Sequence, residues 1–167
     1  RDAFDTGFLD RAMDRWPRHC ADQRRALAAY RRSRKPGPAL SAVDKRMRRL
    51  YVSAFQSAVF NAVLARRIDG IDLVLTGDLA RKTDSGGVFL VEDIDTDQPR
   101  AERFEISPTG PIPGYRGRTA EGEPGRIERE ALAAHNVRED DFRRVGSLKV
   151  KGGRRALRYP LRQHRLM

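Results

Sequence analysis

Apolar residues recur every three or four positions through the first third of the chain, which is the spacing of helices with one buried side. A short helix is predicted from Thr6, as its cap, to Pro17, and a second from about residue 18 to residue 32. A longer helix is predicted from Ser41, as its cap, to Ile68. Its predicted buried stripe consists of Val43, Met47, Leu50, Ala54, Ser57, Leu64 and Ile68, interrupted by Asn61.

The pattern changes after Gly70, where short runs of β-prone residues alternate with turn residues and an acidic stretch. The predicted strands lie within 74–79, 87–92 and 103–107, and the segments 148–150 and 156–159 are predicted to form one or two more. The predicted later helices are 125–136 and 138–144. The fold class is therefore α+β, a helical N-terminal part with a small, mainly antiparallel sheet and Pro/Gly-rich loops.

Proline and glycine predict two interruptions. The first is a linker at 31–38, where Pro-Gly-Pro follows a run of cations. The second is a rigid loop at 107–114, whose sequence is SPTGPIPG. The carboxylates between 92 and 97 are spaced as a solvated acidic surface, so we expect no acid/base pair there.

Charge is distributed unevenly along the chain. Residues 1–67 contain 16 Lys and Arg against 6 Asp and Glu, residues 68–146 contain 11 against 17, and residues 147–167 contain 7 against none. Clustered cations release the counterions of phosphates, so this distribution favours binding to nucleic acid. The alternative is compositional, because 29 of the 34 cations are Arg, as in proteins from high-GC genomes.

Several kinds of chemistry are excluded by the residues present. Cys20 is the only cysteine, which rules out an intrachain disulfide and fits a reducing cytoplasm. The three histidines lie far apart and lack partners at metal-ligand spacing, so no zinc or other metal site is predicted. No nucleotide-binding glycine loop, no nucleophile elbow and no membrane-length apolar run is present.

Three segments carry a family resemblance. Residues 48–61 (RRLYVSAFQSAVFN) resemble the Ser-Ala helix of TruD-type pseudouridine synthases. Residues 108–114 (PTGPIPG) are similar to that family's Pro-Thr-Gly-Pro loop. Residues 152–160 (GGRRALRYP) resemble the Gly-x-Arg-Arg-x-Leu segment through which that family's chain returns to its catalytic domain. Their order and separation also match the family.

The resemblance implies a two-domain enzyme that converts a tRNA uridine, position thirteen in the bacterial family, to pseudouridine. It implies a monomer that binds tRNA and needs no metal or organic cofactor. The family's catalytic aspartate belongs to a Gly-x-Lys-Asp motif, which this sequence lacks. We therefore assign no catalytic residue, not even to the nearest similar residues, Asp78 and Asp84, and expect this chain alone to be inactive.

Residues 1–151 are expected to form the RNA-binding insertion domain, and residues 152–167 the return segment toward the catalytic domain. The predicted RNA-binding residues are the cations of the two motifs and two polar residues of the helix. They are Arg48, Arg49, Gln56, Asn61, Arg154, Arg155 and Arg158. Asn61 could equally hydrogen-bond a neighbouring loop.

Two other functional classes stay open from the sequence. One is a stand-alone RNA-binding module without catalytic activity, which would lack a Gly-x-Lys-Asp motif in the parent reading frame. The other is a basic structural or DNA-binding protein, although no helix-turn-helix spacing supports it.

Overall fold

The computed structural model of the chain describes residues 5–143, 148 and 150–160. The chain divides into two compact units, Arg1–Val52 and Ser53–Met167. Helices dominate the first unit, and the second combines helices with a four-stranded antiparallel sheet, so the α+β prediction is confirmed. Within the described ranges, no helix is long and apolar enough to cross a lipid bilayer.

The first unit contains α1 (Leu9–Arg15), α2 (Ala21–Ser33), α3 (Pro36–Ser41) and the start of α4 (Lys45–Arg67). Its core is a small cluster of Leu9, Ala12 and Leu27, packed against Met13, Trp16 and Tyr30.

The predictions for the start of α1 and for the Pro-Gly-Pro segment were wrong. The first helix begins at Leu9 with Phe8 at the cap position, so Thr6 does not cap it. The Pro-Gly-Pro segment begins α3 instead of forming a linker, because proline lacks only an N–H that the first turn of a helix leaves unbonded.

Helix α4 buries a different face from the one predicted. Asp44 caps it, accepting a hydrogen bond from the Arg46 amide, in place of Ser41. In the second unit its buried residues are Val59, Phe60, Val63 and Arg67. Of the predicted stripe, Leu50 and Ile68 are 55% and 53% exposed. Ala54 is also exposed, whereas Val43 is buried and Met47, Ser57 and Leu64 are half-buried. Apolar and small residues occupy both sides of this helix, so spacing alone selected the wrong one.

The sheet has the order β2-β1-β3-β4, with β1 (Leu79–Lys82), β2 (Val88–Leu90), β3 (Ile106–Ile112) and β4 (Gly153–Ala156). All three pairings are antiparallel. The predicted Pro/Gly loop is in fact β3, almost entirely buried at the centre of the sheet. Its first half pairs with β1 and its second half with β4. Because each neighbour covers only part of the strand, its prolines are compatible with the pairing.

Two helices complete the second unit. The acidic stretch forms a helix that the sequence did not predict, α5 (Ile94–Glu102), capped by the Asp93 carboxylate. Helix α6 (Gly122–Ala133) corresponds to the predicted helix at 125–136, and a short 3-10 helix at Glu139–Arg143 corresponds to the one at 138–144.

The described residues of the second unit form two core clusters. Val59 and Val63 of α4 pack against Ile127, Ala131 and Leu132 of α6, together with Phe142. A second cluster lies between the sheet and α5, and consists of Val74, Ala80, Val91, Ala101 and Ile106.

The predicted division into residues 1–151 and 152–167 stays a prediction. Strand β4 is hydrogen-bonded to β3 over Gly153–Ala156 and so belongs to the sheet of the second unit. The remainder of the predicted return segment, residues 161–167, lies outside the described residues, as do residue 144 of the predicted helix and residue 149 of the predicted strand.

Candidate nucleic-acid interface

The three sequence motifs meet where α4 crosses β3 and β4. Phe60 of α4 lies directly against Gly110 of β3: a Cβ added at Gly110 would be 2.9 Å from Cδ2 of Phe60 and 3.2 Å from Cδ2 of Leu157. Only glycine allows this approach, because side-chain carbons are not found that close together. The motif at 108–114 therefore provides a surface without a side chain, on which the Phe60 ring of the motif at 48–61 packs.

Gln56 fixes the same helix at a second point. Its amide nitrogen donates a hydrogen bond of 2.6 Å to the carbonyl oxygen of Pro113. The predicted binding residue Gln56 thus has an intramolecular partner and joins α4 to the end of β3.

Arg154 is buried in an ion pair. Its Nη2 lies 2.6 Å from Oε1 of Glu128 and its Nη1 lies 2.9 Å from Oε2, a two-bond contact between β4 and α6. The two side chains are only 4% and 6% exposed. A guanidinium enclosed in this way has no solvent-facing edge for a phosphate, so the placement argues against the predicted phosphate contact of Arg154.

Thr109 extends this ion pair across the sheet. Its hydroxyl accepts a hydrogen bond from Nε of Arg154 at 2.9 Å and donates one to the carbonyl oxygen of Leu79 in β1. Nη2 of Arg154 also donates to the Thr109 carbonyl oxygen at 2.9 Å. The network therefore connects β1, β3, β4 and α6, and every N–H-bearing nitrogen of Arg154 participates.

Arg155 has the opposite environment. Successive residues of a strand face opposite ways, and Arg155 is exposed, with its guanidinium carbon 5.0 Å from the centroid of the Phe60 ring. It forms no ion pair with any described residue. Contact with the ring restrains the cation while its N–H groups stay available to an anion.

Arg158 occupies an intermediate position. Its guanidinium carbon lies 4.4 Å from the centroid of the Phe104 ring, and its Nη2 donates to the carbonyl oxygen of Ala101 in the last turn of α5. A cation there complements the carbonyl end of the helix. Its Nε is buried and has no hydrogen-bond partner among the described residues.

The remaining predicted residues lie on α4. Asn61 is exposed, on the same side of the helix as Ala54, Ala58 and Ala65, so it does not lie on the buried side of α4. Its side chain forms no hydrogen bond with another described residue. Arg49 is exposed and Arg48 is half-buried, and neither forms an ion pair with a described residue. Both belong to the first unit.

Exposed cations elsewhere are often neutralised. Arg126 on the outer side of α6 bonds Glu123 and Glu130, and this guanidinium lowers the pKa of the Glu123 carboxyl. Arg103 likewise bonds Glu105 and lowers the pKa of its carboxyl. Such pairs offer little positive potential to an external anion, in contrast to Arg155.

Sequence reasoning missed the partners that organise this site, namely Phe60, Thr109, Gly110 and Glu128. Phe60 and Gly110 belong to two of the family motifs, but their contact joins positions 50 residues apart in the chain. Nothing in the sequence marks Glu128 as different from Glu130 two positions later, although the first is buried and the second is exposed.

Comparison with known proteins gives a consistent result. The family model for tRNA pseudouridine synthase D (TruD) matches residues 1–166. The chain is 44% identical over 163 residues to the tRNA pseudouridine synthase D of Geobacter metallireducens, and 47% identical over 136 residues to that of Anaeromyxobacter dehalogenans. These matches cover 96% and 80% of this chain, but 40% and 38% of the relatives, so the chain spans about two fifths of their length.

A solved structure assigned to TruD, from Methanosarcina mazei, has a similar fold. It superposes with a TM-score of 0.73 at 20% sequence identity, covering 93% of this chain and 39% of that one.

Proposed function

The chain belongs to the TruD family of tRNA pseudouridine synthases, and from this premise we propose that it is the part of such an enzyme that holds folded tRNA. The isomerised uridine, position thirteen in the bacterial family, reacts at residues carried by the larger remainder of the protein. The proposal rests on one observation above the others: where the three family motifs meet, Arg155 is exposed, restrained on Phe60 and without an ion-pair partner among the described residues.

Structured RNA is bound mainly through its shape, phosphates and 2′-hydroxyl groups. Arg155 supplies a phosphate contact on the second unit, and Arg49 supplies one on the first. Asn61 supplies an amide for a nucleotide hydroxyl or base edge from the exposed side of α4. Arg48 contributes positive potential from a half-buried position.

The other predicted residues act on this surface indirectly. Gln56 and Arg154 are positioning residues: the first attaches α4 to Pro113, and the second attaches β4 to Glu128. Arg158, two residues after β4, bonds the end of α5 and leaves part of its side chain accessible. A rigid framework of this kind lowers the ordering cost of binding.

We assign no catalysis to the chain itself. Asp78 is 1% exposed and accepts two hydrogen bonds from Arg67, at 2.9 and 3.0 Å, and one from the Leu75 amide at 2.8 Å. A carboxylate bonded in this way cannot reach a uridine. Asp84 lies in the exposed turn after β1, where the Ser85 amide lowers its pKa. The absence of a metal or organic cofactor and a cytoplasmic location stay predictions of the family resemblance.

The test is the salt dependence of tRNA binding by this chain. If about 4–6 phosphates are neutralised, the slope of log affinity against log salt is on the order of −3 to −5. A nearly flat dependence would refute electrostatic recognition. Competition with duplex DNA distinguishes specific binding of folded RNA from general binding of polyanions. Unlabelled tRNA is expected to displace bound tRNA, whereas duplex DNA at a similar concentration is not.

Activity gives a second, independent test. The full-length protein is expected to form pseudouridine in tRNA, while the 167-residue chain forms none. Turnover by the chain alone would show that a nucleophile had been overlooked, and an inactive full-length protein would favour a binding module without catalysis.

A further inference from the structure

One exposed group of side chains lies beyond the predicted sites, at the end of the β3–β4 pair. Two glycines cross there at unusually short range: a Cβ added at Gly114 would lie 2.2 Å from the Gly152 amide nitrogen. Gly152 has a φ of +76°, in the region that other residues rarely adopt. Two backbones can approach so closely only because neither residue has a side chain.

The crossing holds the adjoining residues in register. The Tyr115 amide donates to the Val150 carbonyl oxygen at 3.0 Å, and the Arg116 amide donates to the Lys151 carbonyl oxygen at 3.1 Å. The bond from Gln56 to the Pro113 carbonyl ties the same segment to α4. The backbone of this turn is thus attached on two sides, which is unusual for an exposed connection.

Its side chains combine an aromatic ring with exposed cations. Tyr115 is 36% exposed, and the guanidinium carbon of Arg116 lies 5.7 Å from the centroid of its ring. Arg116 and Lys151 are both exposed, and neither forms an ion pair with a described residue. Together, Tyr115, Arg116 and Lys151 form a surface that we name the tyrosine tip.

Single-stranded nucleic acid is bound by this combination, in which a base stacks on an aromatic ring and cations contact the adjoining phosphates. We propose that the tyrosine tip binds one unstacked nucleotide of the RNA, with the base on Tyr115 and the flanking phosphates on Arg116 and Lys151. This proposal rests on the proposed function and adds a subsite for unpaired nucleotides to the contacts with folded tRNA.

An unstacked nucleotide has a clear role in such an enzyme. A base must leave its stack before an enzyme can act on it, and its neighbours lose stacking partners when it does. A fixed aromatic ring replaces one lost partner. An acidic peptide could also bind the two cations, but its binding would not depend on the aromatic ring. The test therefore changes the ring and the charges in separate variants.

The experiment uses fluorescence anisotropy with three labelled probes: tRNA, an unstructured oligouridylate and a blunt RNA duplex. Tyr115→Ala and Tyr115→Leu are expected to weaken oligouridylate binding about tenfold, since stacking is sensitive to loss of the π-system and not only of volume. Tyr115→Phe keeps the ring and is expected to stay within about twofold of wild type. Duplex binding should not change in any of the three variants.

Tyr159→Ala is the matched control, because Tyr159 is also an exposed tyrosine next to an arginine, and it lies outside the tip. Its affinity for oligouridylate is expected to equal that of wild type. Equal losses in Tyr115→Ala and Tyr159→Ala would overturn the assignment, as would a Tyr115→Leu variant that binds as well as Tyr115→Phe.

The charges are tested by Arg116→Ala and Lys151→Ala, each expected to reduce the magnitude of the salt slope by about one. Arg103→Ala, which removes a cation already paired with Glu105, is the control and should leave the slope unchanged. If wild type does not bind tRNA, the proposed function fails. If it binds and the Tyr115 variants match it on oligouridylate, only the tip proposal fails.

Discussion

The two sides of β4 carry consecutive arginines that do opposite things. Arg154 is enclosed with Glu128 and bonds Thr109, whereas Arg155 lies open to solvent on the ring of Phe60. In the sequence they form one basic dipeptide. The difference teaches that neighbouring cations of one motif can be divided between holding the fold and lying open at the surface, and that the division is decided by what lies opposite each residue.

The enclosed arginine and its carboxylate depend on each other. Taking either ion out of water costs several kcal/mol, which the partner offsets only while both are present. The open arginine keeps its hydration and gains only a modest attraction to the ring. Removing one member of the buried pair should therefore reduce stability far more than removing Arg155 does. Removing Arg155 should weaken RNA binding more directly than removing a member of the buried pair.

The largest expected effect comes from Glu128→Ala, which leaves Arg154 buried without a counter-charge. We expect a loss of about 3–5 kcal/mol in the free energy of unfolding, measured by urea denaturation. The matched control is Glu130→Ala, on the exposed side of the same helix, where the loss should be small.

A further variant separates charge from packing at that site. Combining Glu128→Leu with Arg154→Met replaces the ion pair by apolar side chains of similar length and should recover much of the lost stability. If Glu128→Ala were no more destabilising than Glu130→Ala, the buried pair would not have the structural role assigned to it.

Gly110→Ala should give the next largest effect, because the added methyl group would overlap the Phe60 ring. Overpacking of this kind costs about 1–3 kcal/mol. In a Phe60→Leu background the same substitution should cost less, which a double-mutant cycle would reveal. Additive losses would mean that Phe60 and Gly110 are not in direct contact.

Arg155→Ala should barely change stability, by at most about 0.5–1 kcal/mol from the lost contact with Phe60. Its effect should appear in tRNA binding, as weaker affinity and a salt slope reduced by about one. Arg155→Lys keeps the charge and should preserve most of the slope. Unchanged tRNA affinity in a folded Arg155→Ala variant would remove this residue from the interface.

The smallest effect concerns the acidic stretch at the start of α5. Asp93 caps α5, and a hydrogen bond from the Thr96 hydroxyl is the main cause that lowers the pKa of its carboxyl below the ordinary value of 3.8. A carboxylate whose pKa is lowered by folding stabilises the fold at pH values above its unfolded-state pKa. This contribution is lost as the pH falls through its folded-state pKa.

Asp93→Ala should therefore lower the thermal midpoint slightly at neutral pH, and the difference from wild type should shrink as the pH drops below about 3.8. A difference that stays constant across this range would mean that the charged carboxylate is not responsible. Binding of tRNA should not change, since Asp93 belongs to the acidic stretch and to none of the basic motifs.

The sequence predicted the fold class and most helices because those features depend on local spacing. It failed where local spacing was ambiguous. Helix α4 has small or apolar residues on both sides, so Leu50 and Ile68 were expected inside and lie outside. Strand β3 was expected to be a loop because its prolines suggest one, yet its neighbours each cover only half of it.

The candidate site was recovered only in part for a related reason. The motifs contain the helix, strands and arginine pair that lie in contact with one another, and their role in RNA binding stays a prediction. Which of Arg154 and Arg155 is buried and which is exposed depends on Glu128 and Phe60, and both of these partners are far away in sequence. The tyrosine tip depended on two glycines, Gly114 and Gly152, that adopt their roles only when the strands are paired.

The central claim is that RNA is held where α4, β3 and β4 meet and not along the acidic stretch and α5, residues 92–105. Backbone hydrogen exchange with and without tRNA tests it most directly. We predict slower exchange on tRNA addition in peptides covering 109–118 and 150–158, and no change in those covering 92–105. Protection confined to 92–105, or equal in both regions, would contradict the account.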